Sequence, residues 1–265
     1  MLSHIKVEGF RSLQNIELDL NGLTVLIGPN GSGKSNFLDV FALMTEAAIG
    51  QLSEGIAKRG GIGTLLSRGS KDKMSFSFRF PAQDEFDTEQ APVTYDLQLR
   101  AIGAFPSIWL EHLYRDPIGT HSDPLHLVQR NKNAPRTKFV FHNKITRSND
   151  EVNKEIESDS ELAVFQVKDQ SAFPTPYILL RLFESWGNYK PIRVDADAPV
   201  RSPQLLRAGV RLFADGSNLA SVFHTIQNQH PAIWVEICET LINTYADFRF
   251  LSFPAEGGDG KILLR

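Results

Sequence analysis

"LTVLIGPNGSGKSNFLDVF", residues 23–41, decides how the rest of the chain is read. Leu23 to Ile27 is an apolar run rich in branched residues, the pattern of a strand buried on both faces. Gly28 to Ser35 spell GPNGSGKS, which fits G-x-x-x-x-G-K-[ST] at every fixed position. Phe37, Leu38, Val40, Phe41 and Met44 then recur at helical spacing and predict a helix over 34–49. Strand, glycine loop and helix, in that order, are the context this motif requires. From average residue frequencies the bare pattern arises by chance in about one chain in a hundred of this length. The flanking elements therefore carry the reading.

Each residue type in the loop has a physical task. Gly28, Gly31 and Gly33 let the backbone take positive φ and approach a ligand closely, because no Cβ intervenes. Successive N–H groups, with those of Ser32 and its neighbours, then form an anion-binding nest at a helix N-terminus that adds partial positive charge. Lys34 is placed to reach β- and γ-phosphate oxygens as a point charge. The Ser35 hydroxyl suits a phosphate-bound Mg²⁺, which takes oxygen ligands at near-octahedral geometry. ATP and Mg²⁺ are the expected ligands.

The 265 residues are 42% hydrophobic, enough for a large core, and the net charge of −3 gives no global bias toward nucleic acid or an anionic membrane. A single cysteine, Cys238, lies in the helical pattern "AIWVEICETLI" and cannot form an intramolecular disulfide, which suits a reducing cytoplasm. No apolar run approaches the ~18 residues that span a bilayer. "MLSHIKVEGF" lacks a hydrophobic signal core. The seven histidines show no metal spacing; His121 with His126, and His224 with His230, do not share a helical face.

Along the chain, residues 2–8 and 15–20 alternate apolar and polar and predict two strands joined near Phe10-Arg11-Ser12. After the loop helix comes a glycine-rich connector, "KRGGIGTLLSRGS", with no strong period. From 74 to 141, "MSFSFRF", "VTYDLQLRAI", "SIWLEHLYR", "PLHLVQR" and "TKFVFH" alternate in short runs and predict an antiparallel meander. "TPYILLRLFESW" predicts a helix begun at Thr175-Pro176, and "YKPIRVD" a strand. "DGSNLASVFHTIQNQ", capped by Ser217 or Asn218, and "AIWVEICETLINTY" predict two more helices. "FRFLSF" and "GKILLR" read as strands split by the turn residues 257–260. The expected fold is α/β, as one head portion over 1–265. It divides into a nucleotide unit over 1–73, a β meander over 74–149 and a mixed lobe with helices over 150–265.

Charge changes abruptly within the meander. Arg130, Lys132, Arg136, Lys138, Lys144 and Arg147 occur with no acid between Pro124 and Asn149, and six acids with one lysine follow from Asp150 to Glu161. One reading is a solvated hairpin with the acidic segment folded back on it. The other is a DNA-facing strip, with Phe139, Phe141 and His142 interleaved, making sequence-independent phosphate contacts.

Three stretches together resemble the ATP-binding heads of the RecF-like and SMC-like branch of ABC-type ATPases, often described as AAA-family ATP-binding proteins. They are "IKVEGFRSLQNIELDL", the phosphate-loop stretch itself, and "LFADGSNLASVFHTI" followed by "FRFLSFPAEGGDGKILLR". The resemblance implies a P-loop head that pairs with a second copy or a second ATPase head around ATP. It places Arg11 near the base or phosphates, Asn30 near the β,γ-bridge and Asn36 near the α-phosphate. A surface turn arginine is an equally good reading of Arg11.

The resemblance also implies parts that these residues do not spell. A signature loop of the LSGG type is imitated by "LSEG" at 52–55 and "LSRG" at 66–69, both too soon after the phosphate loop. No run of four apolar residues ends in Asp-Glu; "ILLRLFE" at 178–184 is interrupted by Arg181 and reads better as a helix. Gln129 and Gln166 are weak candidates for the glutamine that senses Mg²⁺ and the γ-phosphate. No catalytic residue is assigned. The expectation is a fragment, a split gene product or a natural short form, acting in DNA repair, chromosome maintenance or phage defence. A non-hydrolytic, nucleotide-sensing module is the alternative. A GTPase or small-molecule P-loop kinase is disfavoured, since Asn131-Lys132 and Asn143-Lys144 lack the following Asp that reads guanine and no arginine-rich lid is evident.

Overall fold

Alternation in the first twenty residues becomes a hairpin. Strands β1 (His4–Phe10) and β2 (Leu13–Asp19) pair antiparallel, with Val7 opposite Ile16 and Phe10 opposite Leu13. The other edge of β1 takes β3 (Lys73–Phe80), Val7 facing Phe76. Strands β4 (Val93–Ile102), β5 (Phe105–Arg115), β6 (Leu125–Asn131), β7 (Thr137–Asn143) and β8 (Ser148–Lys154) continue by antiparallel neighbours. One eight-stranded sheet results, in the order β2-β1-β3-β4-β5-β6-β7-β8. The computed structural model describes every residue except 71, 83–90, 118–122, 135, 144–147, 156–157, 168, 190–191, 210, 257–259 and 265, and backbone alone at 141–143, 148 and 255–256.

Period-two patterning turns Ile5, Val7, Met74, Phe76, Phe78, Tyr95, Leu97 and Leu99 to one face, where all are buried. Against that face lie α1 (Lys34–Ala48), α2 (Leu52–Lys58), α3 (Ile62–Leu65) and α4 (Pro174–Ser185). Helix α1 buries Phe37, Val40, Leu43, Met44 and Ala47. On α4, the Phe183 ring meets Phe78 and Tyr95 edge-on at 5.5 Å each and Trp186 at 4.7 Å. Such aromatic pairs add about 0.5–1.5 kcal/mol each beyond the area they bury. The Thr45 hydroxyl donates to the Phe183 carbonyl at 3.0 Å, so α1 and α4 are tied as well as packed.

Under the sheet, the fully buried Glu111 of β5 is held by three donors from two elements. Its carboxylate accepts from the Tyr95 hydroxyl at 3.1 Å and from the N–H groups of Ala163 and Val164 at 2.5 and 3.0 Å, which open a 3₁₀ turn. Burial pushes the Glu111 carboxyl above the usual carboxylate range, against the pull of those donors and of Arg130.

Chain contacts divide the molecule into two compact units, 1–186 and 187–265. The second contains β9 (Gln204–Leu205), α5 (Leu219–Gln229), α6 (Pro231–Thr244), β10 (Ala255–Glu256) and β11 (Lys261–Ile262), the strands in the order β10-β11-β9. Phe223, Trp234 and Phe253 join its helices, with ring centroids 6.0 and 5.9 Å apart. Mixed α/β composition, an antiparallel meander and C-terminal helices are thus the observed architecture, consistent with a P-loop, ABC-ATPase-like head.

Several local expectations are corrected. Residues 23–27 are not a buried strand: Leu23, Val25 and Ile27 are 86%, 71% and 89% exposed and no described strand lies alongside. A strand needs lateral neighbours to satisfy its N–H and C=O groups, and periodicity says nothing about whether they are present. The connector after α1 contains α3, with the Leu66 backbone bridged to Phe10. Helix α4 starts at Pro174 after Phe173, with no side-chain cap. Residues 192–194 and 248–253 are irregular, and the short C-terminal pairing falls on Ala255–Glu256 and Lys261–Ile262. Residues 190–191 and 257–259, parts of the expected strand and turn, lie outside the described residues.

Candidate nucleotide-binding site

The glycine loop runs directly into α1. Gly33 is the N-cap with φ 98°, and the Phe37 N–H closes the first helical turn on the Gly33 carbonyl at 2.8 Å. A Cβ built on Gly33 would sit 2.8 Å from Ser12 Oγ and 3.0 Å from Leu13 Cδ2, so both conformation and space demand glycine. Gly31 has φ 81° and open space around it, so conformation alone selects glycine there.

The N–H groups of Gly31, Gly33, Lys34, Ser35 and Asn36 have no acceptor among the described residues. They are the unsatisfied donors that a helix start offers an anion. The Lys34 ammonium donates to the carbonyls of Gly28 and Pro29 at 2.7 and 2.8 Å and reaches Ser32 Oγ at 3.5 Å. Ser35 is exposed and its hydroxyl has no partner among the described residues, leaving it open to a cation; Asn30 is likewise exposed. Amides, one ammonium and one free hydroxyl are the donor set a Mg²⁺-bound triphosphate requires, so the residues present fit the group.

Arg11 is the one non-glycine residue with positive φ among the described residues, at 50°. Its N–H donates to the Leu65 carbonyl at 2.6 Å, which pins the β1–β2 turn. Its side chain leans on α1: Nη1 lies 3.1 Å from Asp39 Oδ2 and 3.3 Å from Asn36 Oδ1. Asn36 Nδ2 donates to Ser12 Oγ at 2.8 Å. The structure therefore brings Arg11 and Asn36 together beside the loop.

A family model for the AAA ATPase domain matches residues 1–190, which include the loop, α1 and the eight-stranded sheet. The chain belongs to this family. As an AAA ATPase domain it is 43% identical over 44 residues to an OLD nuclease of Thermus scotoductus, a match covering 17% of this chain and 8% of that protein. The chain thus spans less than a tenth of the length of this relative. A solved structure from work on ATP-driven dimerization and DNA-stimulated activation of SMC ATPases is 25% identical, with a TM-score of 0.33. It covers 41% of this chain and 68% of the other. That score is too low to transfer any residue role.

Other sequence candidates fall elsewhere in the AAA ATPase domain. "LSEG" opens α2 with Leu52 buried, and Ser67 of "LSRG" donates its N–H to Gly9, so both serve packing. "ILLRLFE" is helical, within α4. Gln129 stands on β6, separated from β1 by three strands, and Gln166 ends the 3₁₀ turn beside Glu111.

The basic segment is folded against acids. Arg130 is nearly buried and bonds the carbonyls of Glu161 and Ser158 at 2.7 and 2.9 Å. Lys132 pairs with Asp159, Lys138 with Glu151 at 2.5 Å and Arg136 with Glu155 at 3.8 Å. Lys144 and Arg147, and the side chains of Phe141 and His142, lie outside the described residues. No described helix is long and apolar enough to cross a membrane.

Sequence reasoning missed two residues at the site, Asp39 and Arg59. Arg59 Nε and Nη2 both lie 2.9 Å from Asp39 Oδ1. They belong to no motif, and their positions 20 residues apart carry no periodic signal. A histidine pair also went unseen: His112 and His126, on adjacent strands, share a hydrogen bond at 2.7 Å.

Proposed function

We propose that this chain is the ATP-binding portion of a RecF/SMC-like ATPase, serving DNA repair, chromosome maintenance or phage defence. Gly28, Asn30, Gly31, Ser32, Gly33, Lys34 and Asn36 would hold the triphosphate, and Ser35 would hold Mg²⁺. The metal would supply neutralisation of the phosphate charge. The observation that carries the reading is the set of acceptor-free N–H groups from Gly31 to Asn36, gathered with Lys34 at one helix start.

The chain's own residues bind and orient, and the acid that activates water is not assigned among the described residues. The exposure of Leu23, Val25 and Ile27 in the run before the loop supports a further element of the reading. That run would become a strand only beside another strand, and the acid-tipped strand that the resemblance implies would be one such neighbour. Hydrolysis would then need motifs outside these 265 residues, and ATP would hold two heads together.

Phosphate release from the purified chain, alone and with a partner bearing an acid-tipped strand, tests this. Turnover only in the mixture is the expected result. Robust turnover by the isolated chain would refute the division of labour. ATP-dependent pairing without turnover in either case would favour the non-hydrolytic sensing module.

A further inference from the structure

Asp39 stands between two guanidinium groups that are held very unequally. Arg59 is nearly saturated. Its Nε and Nη2 lie 2.9 Å from Asp39 Oδ1, its Nη1 donates to the Gly55 carbonyl at 2.7 Å, and Nη1 also meets Glu46. Arg59 side-chain exposure is 11%, against 30% for Arg11. Arg11 makes one 3.1 Å contact, to the other oxygen of the same carboxylate, and a long 3.3 Å bond to Asn36. Its Nε and Nη2 have no partner among the described residues.

An arginine with most of its fork unspent, beside a phosphate loop, is matched to a bidentate phosphate. Asn36, which it touches, is the third residue of α1, within the helix turn that follows the loop. We infer that Asp39 occupies Arg11 in place of a nucleotide phosphate, and that Arg59 sets the strength of that hold by sharing the Asp39 charge. This rests on the nucleotide reading above and adds to it an internal competitor for one phosphate contact.

The hold is weak by construction. Arg59 holds Asp39 by Oδ1, so Arg11 faces a carboxylate whose charge is already shared through its other oxygen. A phosphate carrying more charge can then take Arg11 without unfolding any element. Arg11 keeps its backbone bond to Leu65 throughout, so the exchange is a side-chain movement on a fixed turn.

Two substitutions therefore act in opposite directions. Asp39→Asn releases Arg11 and tightens ATP binding, whereas Arg59→Gln turns the full Asp39 charge on Arg11 and weakens it. Each change is about two- to fivefold, the scale of a partly exposed ion pair. Both effects vanish in an Arg11→Ala background, because the competitor then has nothing to hold. Equilibrium titration with a fluorescent ATP analogue in Mg²⁺ reads all of these. Should Arg59→Gln fail to fold, Asp39→Asn with and without Arg11→Ala still completes a cycle, since Arg59 keeps Glu46 and Gly55.

A purely structural network would weaken binding in both single variants, and that outcome overturns the inference. So would equal effects with and without Arg11. If the wild-type chain binds no nucleotide while folded, the reading under Proposed function fails instead, and this inference with it.

Discussion

Lys34 Nζ lies 2.7 Å from the carbonyl oxygen of Gly28, so the loop's own backbone stands where a phosphate oxygen would otherwise draw the ammonium. The lysine holds the loop closed over itself and exchanges carbonyls for phosphates when a nucleotide binds. A ligand at a hundred times its Kd adds ~2.7 kcal/mol of stability, which raises the melting temperature by roughly 5–10 °C for a domain near this size. That shift is expected with Mg²⁺-ATP and is expected to vanish in Lys34→Ala. Because Lys34 bonds loop carbonyls at a part-exposed position, the ligand-free Tm of the variant should stay close to wild type. Differential scanning fluorimetry with and without nucleotide checks both halves.

Gly33 makes a sharper demand. Alanine there must keep φ near 98° and bring a methyl group within 2.8 Å of Ser12 Oγ. The expected cost is about 1–3 kcal/mol, from left-handed strain plus displacement of the β1–β2 turn. Gly31→Ala meets no atom, so it carries the conformational part alone and should cost less. Urea melts of the two variants give the difference. Equal losses would show that contact with Ser12 contributes nothing.

What was legible in the sequence follows from where the deciding forces act. Strands β1 to β7 were readable because alternate residues such as Ile5, Val7, Phe76 and Phe78 meet one core, which period two encodes directly. The glycine loop was readable because its chemistry occupies eight adjacent positions. Residues 23–27 misled because a both-faces apolar run states what a segment needs and not whether a neighbour supplies it. Asp39, Arg59 and the partners of Arg130 were invisible because ion pairs join residues 20 to 31 positions apart with no pattern between them.

Glu111 gives the molecule a pH dependence of definite sign. Its folded-state carboxyl titrates above the usual range because burial disfavours the charge. Folded protein therefore holds that proton to higher pH than unfolded protein. This term is neutral below the unfolded carboxylate range near pH 4.5 and grows more destabilising as pH rises through the folded value. Glu111→Gln removes the slope and places an amide against the N–H donors of Ala163 and Val164, costing about 1–3 kcal/mol near neutrality. Stability curves from pH 4.5 upward should converge between the two proteins as pH increases. Parallel curves would mean that Glu111 titrates normally.

The basic segment is neutralised in place by Glu151, Glu155 and Asp159. Substituting Arg136 and Lys138 by Glu sets like charges against Glu155 and Glu151. Surface pairs of this kind are worth ~0–1 kcal/mol, so the stability loss should be small. Duplex DNA binding, measured by fluorescence anisotropy across a salt series, should not change if these cations are already spent on acids. A weaker complex with a shallower salt slope would show that they reach phosphates.

The exposed apolar run before the loop supplies a direct physical test. Unpaired backbone N–H groups exchange with solvent quickly, whereas those in a sheet exchange only through local or global opening. In the isolated chain, amides at 23–27 should exchange orders of magnitude faster than those of β1 from Ile5 to Glu8, which are paired with β2 and β3. Addition of Mg²⁺-ATP should protect 31–36, where the free N–H groups meet phosphate, and leave 23–26 exchanging. Protection of 23–27 should appear only when a second polypeptide supplies a strand. Slow exchange there in the lone chain would mean that the run already has its neighbours, and the case for outside motifs would lose its main support.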